Sequence, residues 1–142
     1  MKPLVLAWLL AALIFLSMDA AWLGVMGPRL YRPELGSLLR ESFDVVPALM
    51  FYPLYVSGML CLAIAPALKE RSALAAGVRG ALLGLVAYGA YDLTNQATLR
   101  DWSWRVTLAD LAWGCVATAA ASSLACGTTL AVLRRLRGKH QQ

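Results

Sequence analysis

Apolar residues run along this chain in long blocks, neither in strict alternation nor in narrow stripes. Crossing a hydrocarbon core about 30 Å thick takes roughly 20 residues at about 1.5 Å of rise each. Four blocks meet that length: Leu4 to Met26, Val45 to Ala65, Gly80 to Leu99 and Val106 to Leu133. Segments apolar on every side belong in lipid, where a helix satisfies its own backbone hydrogen bonds. The pattern predicts an all-α polytopic membrane protein, a four-transmembrane-helix bundle forming one integral membrane domain over residues 1–142. Composition agrees: 60% of residues are hydrophobic and only 15% charged, too greasy for a soluble domain of this size. Lys2 followed by an apolar run also fits a cleavable signal peptide. Against that, Ser17 to Gly24 lacks a clean small-x-small site and the run resumes through Trp22 and Val25, so the first block is read as a membrane helix.

The charges between the blocks set an orientation. With four spans the two termini share a side, which holds Lys2, Lys69, Arg71, Arg79, Arg134, Arg135, Arg137 and Lys139 against the single acid Glu70. The opposite side holds Arg29, Arg32, Arg40, Arg100 and Arg105, offset by Glu34, Glu41, Asp44 and Asp101. The positive-inside rule then places both termini in the cytoplasm. The basic run Arg134 to Lys139 is explained by this topology and also suits anionic lipid headgroups, so nucleic acid is not an expected partner.

Three acids interrupt the apolar blocks: Asp19, Asp92 and Asp110. A carboxylate in hydrocarbon is costly unless it is partnered or functional. Asp19 and Asp92 each stand seven residues before the outer ends of their outgoing helices, and Asp110 four residues into the returning one. At helical rise these are depths of about 10 Å and 6 Å, so all three acids fall in the outer third of the membrane.

Helical spacing gathers neighbours around them. Tyr88, Asp92 and Asn95 share a stripe of the third helix, and Gln96 stands one turn beyond Asp92. Thr107, Asp110, Trp113 and Gly114 share a face of the fourth, and Trp22 lies one turn from Asp19 in the first. The second helix supplies Tyr52 and Tyr55 at similar depth, beside Pro53, which removes a backbone donor. These residues are expected to line an outward-opening polar pocket with Asp92 as its central charge. The same groups serve architecture equally well, since polar side chains hold membrane helices together through hydrogen bonds worth roughly 0.6 to 2 kcal/mol. Trp102 and Trp104 read as headgroup-level anchors, and Arg100 and Arg105 either snorkel or reach down to Asp92 or Asp110.

Elsewhere the pattern speaks of packing. Gly80 and Gly84 form a G-x-x-x-G pair, and Ala117, Ala121 and Ala125 repeat at four-residue spacing, allowing helices to approach closely. Gly27-Pro28 reads as a chain break and Pro33 as the start of a short amphipathic connector carrying Leu35, Leu38 and Leu39. Cys61, Cys115 and Cys126 fall inside spans and imply no disulfide framework. The sole histidine, His140, lies in the basic tail, so no histidine triad, heme pair or HExxH zinc site can assemble within the membrane, and no phosphate-binding loop is present. No cofactor and no metal site are called for. Hard cations favour oxygen ligands of the kind the aspartates and Asn95 offer, but their spacing singles out no metal.

The run Tyr91-Asp92-Leu93-Thr94-Asn95, the later Asp110-Leu111-Ala112-Trp113-Gly114, the aspartate late in the first helix and Phe51-Tyr52-Pro53-Leu54-Tyr55 together resemble a known family. It is the group of small bacterial inner-membrane proteins classed as a domain of unknown function, with YDLTN-type and D-x-x-W-G motifs. The resemblance spans nearly the whole chain and implies a four-helix architecture in the bacterial inner membrane without implying an activity.

The leading functional expectation is binding, and by extension translocation, of a small cation or cationic solute at the carboxylate and aromatic cluster of Asp19, Asp92, Asp110, Asn95, Trp22, Tyr52, Tyr55, Tyr88 and Trp113. Aromatic faces beside carboxylates suit an organic cation, at about 0.5 to 2 kcal/mol per ring. Translocation would call for a homodimer, because alternating access usually needs two opposed units. Two other classes stand beside this one: a membrane-embedded enzyme acting on lipid, which lacks a recognisable nucleophile, and a structural accessory subunit of a larger membrane complex.

Overall fold

Long apolar runs become long helices, and polar groups with special backbone roles mark where they end. The computed structural model describes residues 3–42 and 44–139, so Lys2 and His140 lie outside the described residues. The elements are α1 (Pro3–Met26), a π-helical turn (Gly27–Tyr31), α2 (Arg32–Leu35), α3 (Val45–Met59), a second π-helical turn (Leu60–Ile64), α4 (Ala65–Glu70), α5 (Ala73–Thr98) and α6 (Trp104–Lys139). Because the π turns join their neighbours without a break, the described residues form four continuous helices, each long and apolar enough to cross a membrane: Pro3–Leu35, Val45–Glu70, Ala73–Thr98 and Trp104–Leu136. The described residues contain no strand.

The first helix corrects the expected break at Gly27-Pro28, because the chain stays helical through Leu35. Proline lacks an N–H and crowds the carbonyl four residues back. A π turn skips that register: Arg32, just before Pro33, donates its N–H to Gly27 O. The second helix does the same, with Ala65 before Pro66 donating to Leu60 O. Each π turn thus carries a membrane helix past a proline. The first helix ends at Gly36, whose φ of 40° favours glycine. Asp44 then caps α3, accepting from the Val46 N–H at 3.2 Å, and Arg40 pairs with it at 2.7 Å.

Helix α6 is the centre of the bundle. One face meets α1, where Asp19 and Trp113 are joined by a hydrogen bond. In antiparallel helices, steps of four residues from that bond bring Phe15 level with Ala117, Ala11 with Ala121 and Ala7 with Ala125, and all six are fully buried. The neighbouring face of α6 meets α5 more closely still. A Cβ on Gly80 would lie 2.7 Å from Thr118 O and from Ser122 Oγ, and one on Gly84 would overlap the Gly114 carbonyl. The small-residue repeats therefore serve contacts within the chain. Leucines on the outer faces, such as Leu13, Leu54, Leu82 and Leu124, are exposed, as lipid-facing side chains are.

Gly84→Ala forces α5 and α6 apart and should destabilise the protein by about 1 to 3 kcal/mol. Gly24→Ala, where a Cβ meets nothing within 4 Å, should be neutral or stabilising. Thermal unfolding of both variants in detergent checks the contrast.

Candidate functional site

Near the end of the bundle that carries the α2–α3 and α5–α6 connections, α1, α3, α5 and α6 separate around a cavity of about 530 Å³. Asp19, Trp22 and Leu23 enter from α1, Phe51 and Tyr55 from α3, Ala87, Tyr88 and Tyr91 from α5, and Val106, Asp110 and Trp113 from α6. Tyr31 and Leu35, from the continuation of the first helix, and Leu39 and Trp102, from the connecting segments, complete the lining. Eight of these fifteen residues are aromatic, so the space is an aromatic box and not the polar pocket expected.

Two carboxylates in its wall are held by hydrogen bonds from different helices. Asp19 accepts from the Tyr52 hydroxyl at 2.7 Å and from Trp113 Nε1 at 3.1 Å, tying α1 to α3 and α6. Asp110 Oδ1 accepts from the Tyr31 hydroxyl, which in turn accepts from Trp22 Nε1 at 2.8 Å. The two systems meet where the Trp22 and Trp113 rings stack, centroids 4.4 Å apart and planes within 7°. Tyr55 sits deeper, its hydroxyl sharing a 2.8 Å hydrogen bond with that of Thr118. Among the described residues no lysine or arginine lines the cavity.

Burial alone would make such acids costly, and the donors aimed at them offset part of that cost. Asp19 is satisfied at both oxygens. Asp110 is satisfied at one, and no described residue donates to its Oδ2. Of the two expectations for Arg100 and Arg105, snorkelling or reaching down, the second is not met: neither pairs with Asp92 or Asp110 among the described residues. Arg105 instead pairs with Glu34 at 2.8 Å, because the continuation of α1 carries Glu34 to the start of α6. Glu34 also accepts from Ser103 Oγ at 2.6 Å, and Leu35 packs with Trp102 and Val106 in a second small core. These contacts fasten α2 across one end of the cavity.

Asp92 and Asn95 are placed differently. Four residues advance a helix by about 400°, so Asp92 is turned about 40° past Tyr88 while Tyr91 is turned about 60° the other way. The cavity takes the side of Ala87, Tyr88 and Tyr91. Asp92 is fully buried, is absent from the lining, and has no hydrogen-bond partner at either oxygen among the described residues. The register that sets Tyr88 against Gly114 directs it toward the Thr107 to Asp110 turn of α6. Asn95 is half-buried one turn further on. Nearby, Gln96 donates to Trp102 O at 3.3 Å and accepts from Thr107 Oγ1 at 3.2 Å, while Trp102 Nε1 donates to Thr107 Oγ1 at 3.0 Å. Trp102 is thus a buried wall of the site, which corrects its reading as an interfacial anchor; Trp104 is exposed.

Sequence reasoning also missed Tyr31. Its place follows from the π turn, for which Gly27-Pro28 gives no signal beyond an apparent break. Among the described residues no group of three histidine, cysteine, aspartate or glutamate side chains is arranged to hold a metal ion. The two acids facing the cavity can hold a positive charge, and its rings can bury apolar surface.

If Asp19 joins three helices, Tyr52→Phe should cost about 0.6 to 2 kcal/mol, and Tyr52→Phe with Trp113→Phe should depart from additivity, since both donors serve one carboxylate. Unfolding free energies of the two single variants and the double variant in detergent check this.

No curated protein and no solved structure matches the chain significantly. A family model described as predicted membrane protein, a domain of unknown function, matches residues 4–127, a stretch that includes every residue lining the cavity. The chain belongs to this family of predicted membrane proteins, DUF2177, as a multi-pass protein of the lipid bilayer.

Proposed function

We propose that the cavity binds an organic cation with substantial apolar surface. The observation that carries this reading is the pairing of an aromatic wall with two buried acids and, among the described residues, no base. Ring faces attract cations through their quadrupoles, most strongly where the site is desolvated. Asp19 already accepts two hydrogen bonds, so Asp110 Oδ2 is the carboxylate oxygen left to meet the ligand. An alkylammonium or a delocalised aromatic cation suits these surroundings. A bare metal ion does not, because it wants a shell of oxygen ligands that rings and leucines do not supply.

The charge distribution supports an orientation in which the cavity lies toward the outer face of the cytoplasmic membrane and both termini lie inside. In that orientation the segment Gly27 to Leu39 covers the site from the outside, held by the Glu34 to Arg105 ion pair.

Tetraphenylphosphonium and tetraphenylborate, which match in shape and differ in sign, test the proposal. The cation should bind the purified protein in calorimetric titration and the anion should not. Asp110→Asn should weaken the cation by about tenfold, or about 1.4 kcal/mol, with the melting temperature retained. Equal binding of both probes, or unchanged cation affinity in Asp110→Asn, would contradict it.

A further inference from the structure

A second cleft lies at the opposite end of the bundle, between α4 and α6. It has a volume of about 290 Å³ and is lined by Leu68, Lys69, Arg71, Leu130, Leu133 and Arg134. Three cations thus surround a floor of three leucines, at the end where the chain concentrates its positive charge.

The backbone of the α4–α5 turn is fixed around this cleft. Arg71 adopts a left-handed conformation, φ 55°, and its N–H donates to Leu68 O at 3.3 Å. The Ser72 N–H donates to Ala67 O at 3.1 Å, and Ser72 Oγ caps α5 by accepting from the Ala75 N–H at 3.1 Å. Ala73 packs against α6 at Gly127, so the turn is seated on α6 just before the cleft opens. The one acid of the turn, Glu70, is engaged by Arg79 through two hydrogen bonds of 2.7 and 3.2 Å. Among the described residues Lys69, Arg71 and Arg134 make no ion pair with an acid.

The geometry points to a binding site for the phosphate headgroup of an anionic phospholipid. The three cations receive the phosphate, and the leucine floor receives the first methylenes of an acyl chain. Basic pockets between membrane helices recognise lipid headgroups in this way. A soluble phosphate shares the headgroup chemistry and gains nothing from the leucines.

The test compares wild type with Lys69→Gln/Arg71→Gln/Arg134→Gln and with a control of equal charge change at the other end, Arg29→Gln/Arg32→Gln/Arg100→Gln. Thermal unfolding is followed in detergent micelles containing phosphatidylcholine, phosphatidylglycerol, or phosphatidylcholine with inorganic phosphate. Retained phosphatidylglycerol is counted by native mass spectrometry. The site predicts that phosphatidylglycerol raises the melting temperature of wild type and control by several degrees through mass action on the folded state. The α4/α6 variant should lose that shift, with apparent lipid affinity falling on the order of a hundredfold. An equal shift in all three proteins, or an equal loss in both variants, overturns the site. A shift with inorganic phosphate as large as with the lipid overturns the lipid assignment. If the α4/α6 variant unfolds in every mixture, lipid retention by each single substitution decides: retention at the wild-type level in all three overturns the proposal, and reduced retention supports it.

Discussion

Two hydrogen bonds to one carboxylate organise the bundle. Asp19 accepts from Tyr52 on α3 and Trp113 on α6, so a residue of α1 fixes the rotation of two other helices about their axes. In hydrocarbon no water competes for these groups, and an unpaired partner would be left in a medium that cannot hydrogen-bond it. The junction therefore sets register as well as contributing affinity between helices. Below it the alanines of α1 and α6 come level, and above it the Trp22 and Trp113 rings are brought into their stack.

The close α5–α6 seam has the complementary role. Glycine at positions 80 and 84 lets the α5 backbone approach Thr118 and Gly114, and Tyr88 lies directly against Gly114. Toward the other end the residues become large, at Tyr88, Tyr91 and Trp113, and the cavity opens beside them. A gradient from small to aromatic residues along the bundle thus produces a tight end and a hollow end. Among the described residues the wall of the hollow end carries acids and no base, while three cations surround a leucine floor at the tight end.

The four spans are legible because contiguous apolar runs leave no other solution, and the small-residue spacings in α5 and α6 announce close packing. Grouping Asp19, Tyr52, Tyr55 and Trp113 needs only helical rise, since residues at one depth in neighbouring helices can meet. Rotation about an axis is harder to read. Tyr88 and Asp92 share a stripe in sequence, yet about 40° separates them and only Tyr88 faces the cavity. Tyr31 is hidden for another reason: Gly27-Pro28 carries the local signature of a stop, and the π turn that carries the helix onward is sustained by tertiary contacts to α6. Trp102 reads as an interfacial anchor because its burial comes from tertiary contacts, its hydrogen bonds to Thr107 and Gln96 and its packing against Leu35 of α2.

Whether an organic cation occupies the aromatic box can be read by photolabelling. A quaternary ammonium probe bearing a diazirine, activated on the purified protein and mapped by mass spectrometry, should place its adducts on cavity residues such as Trp22, Tyr31, Tyr88 and Trp113, with excess tetraphenylphosphonium suppressing them. Adducts spread over the lipid-facing Leu13, Leu54 and Leu82, or labelling insensitive to the competitor, would contradict the account.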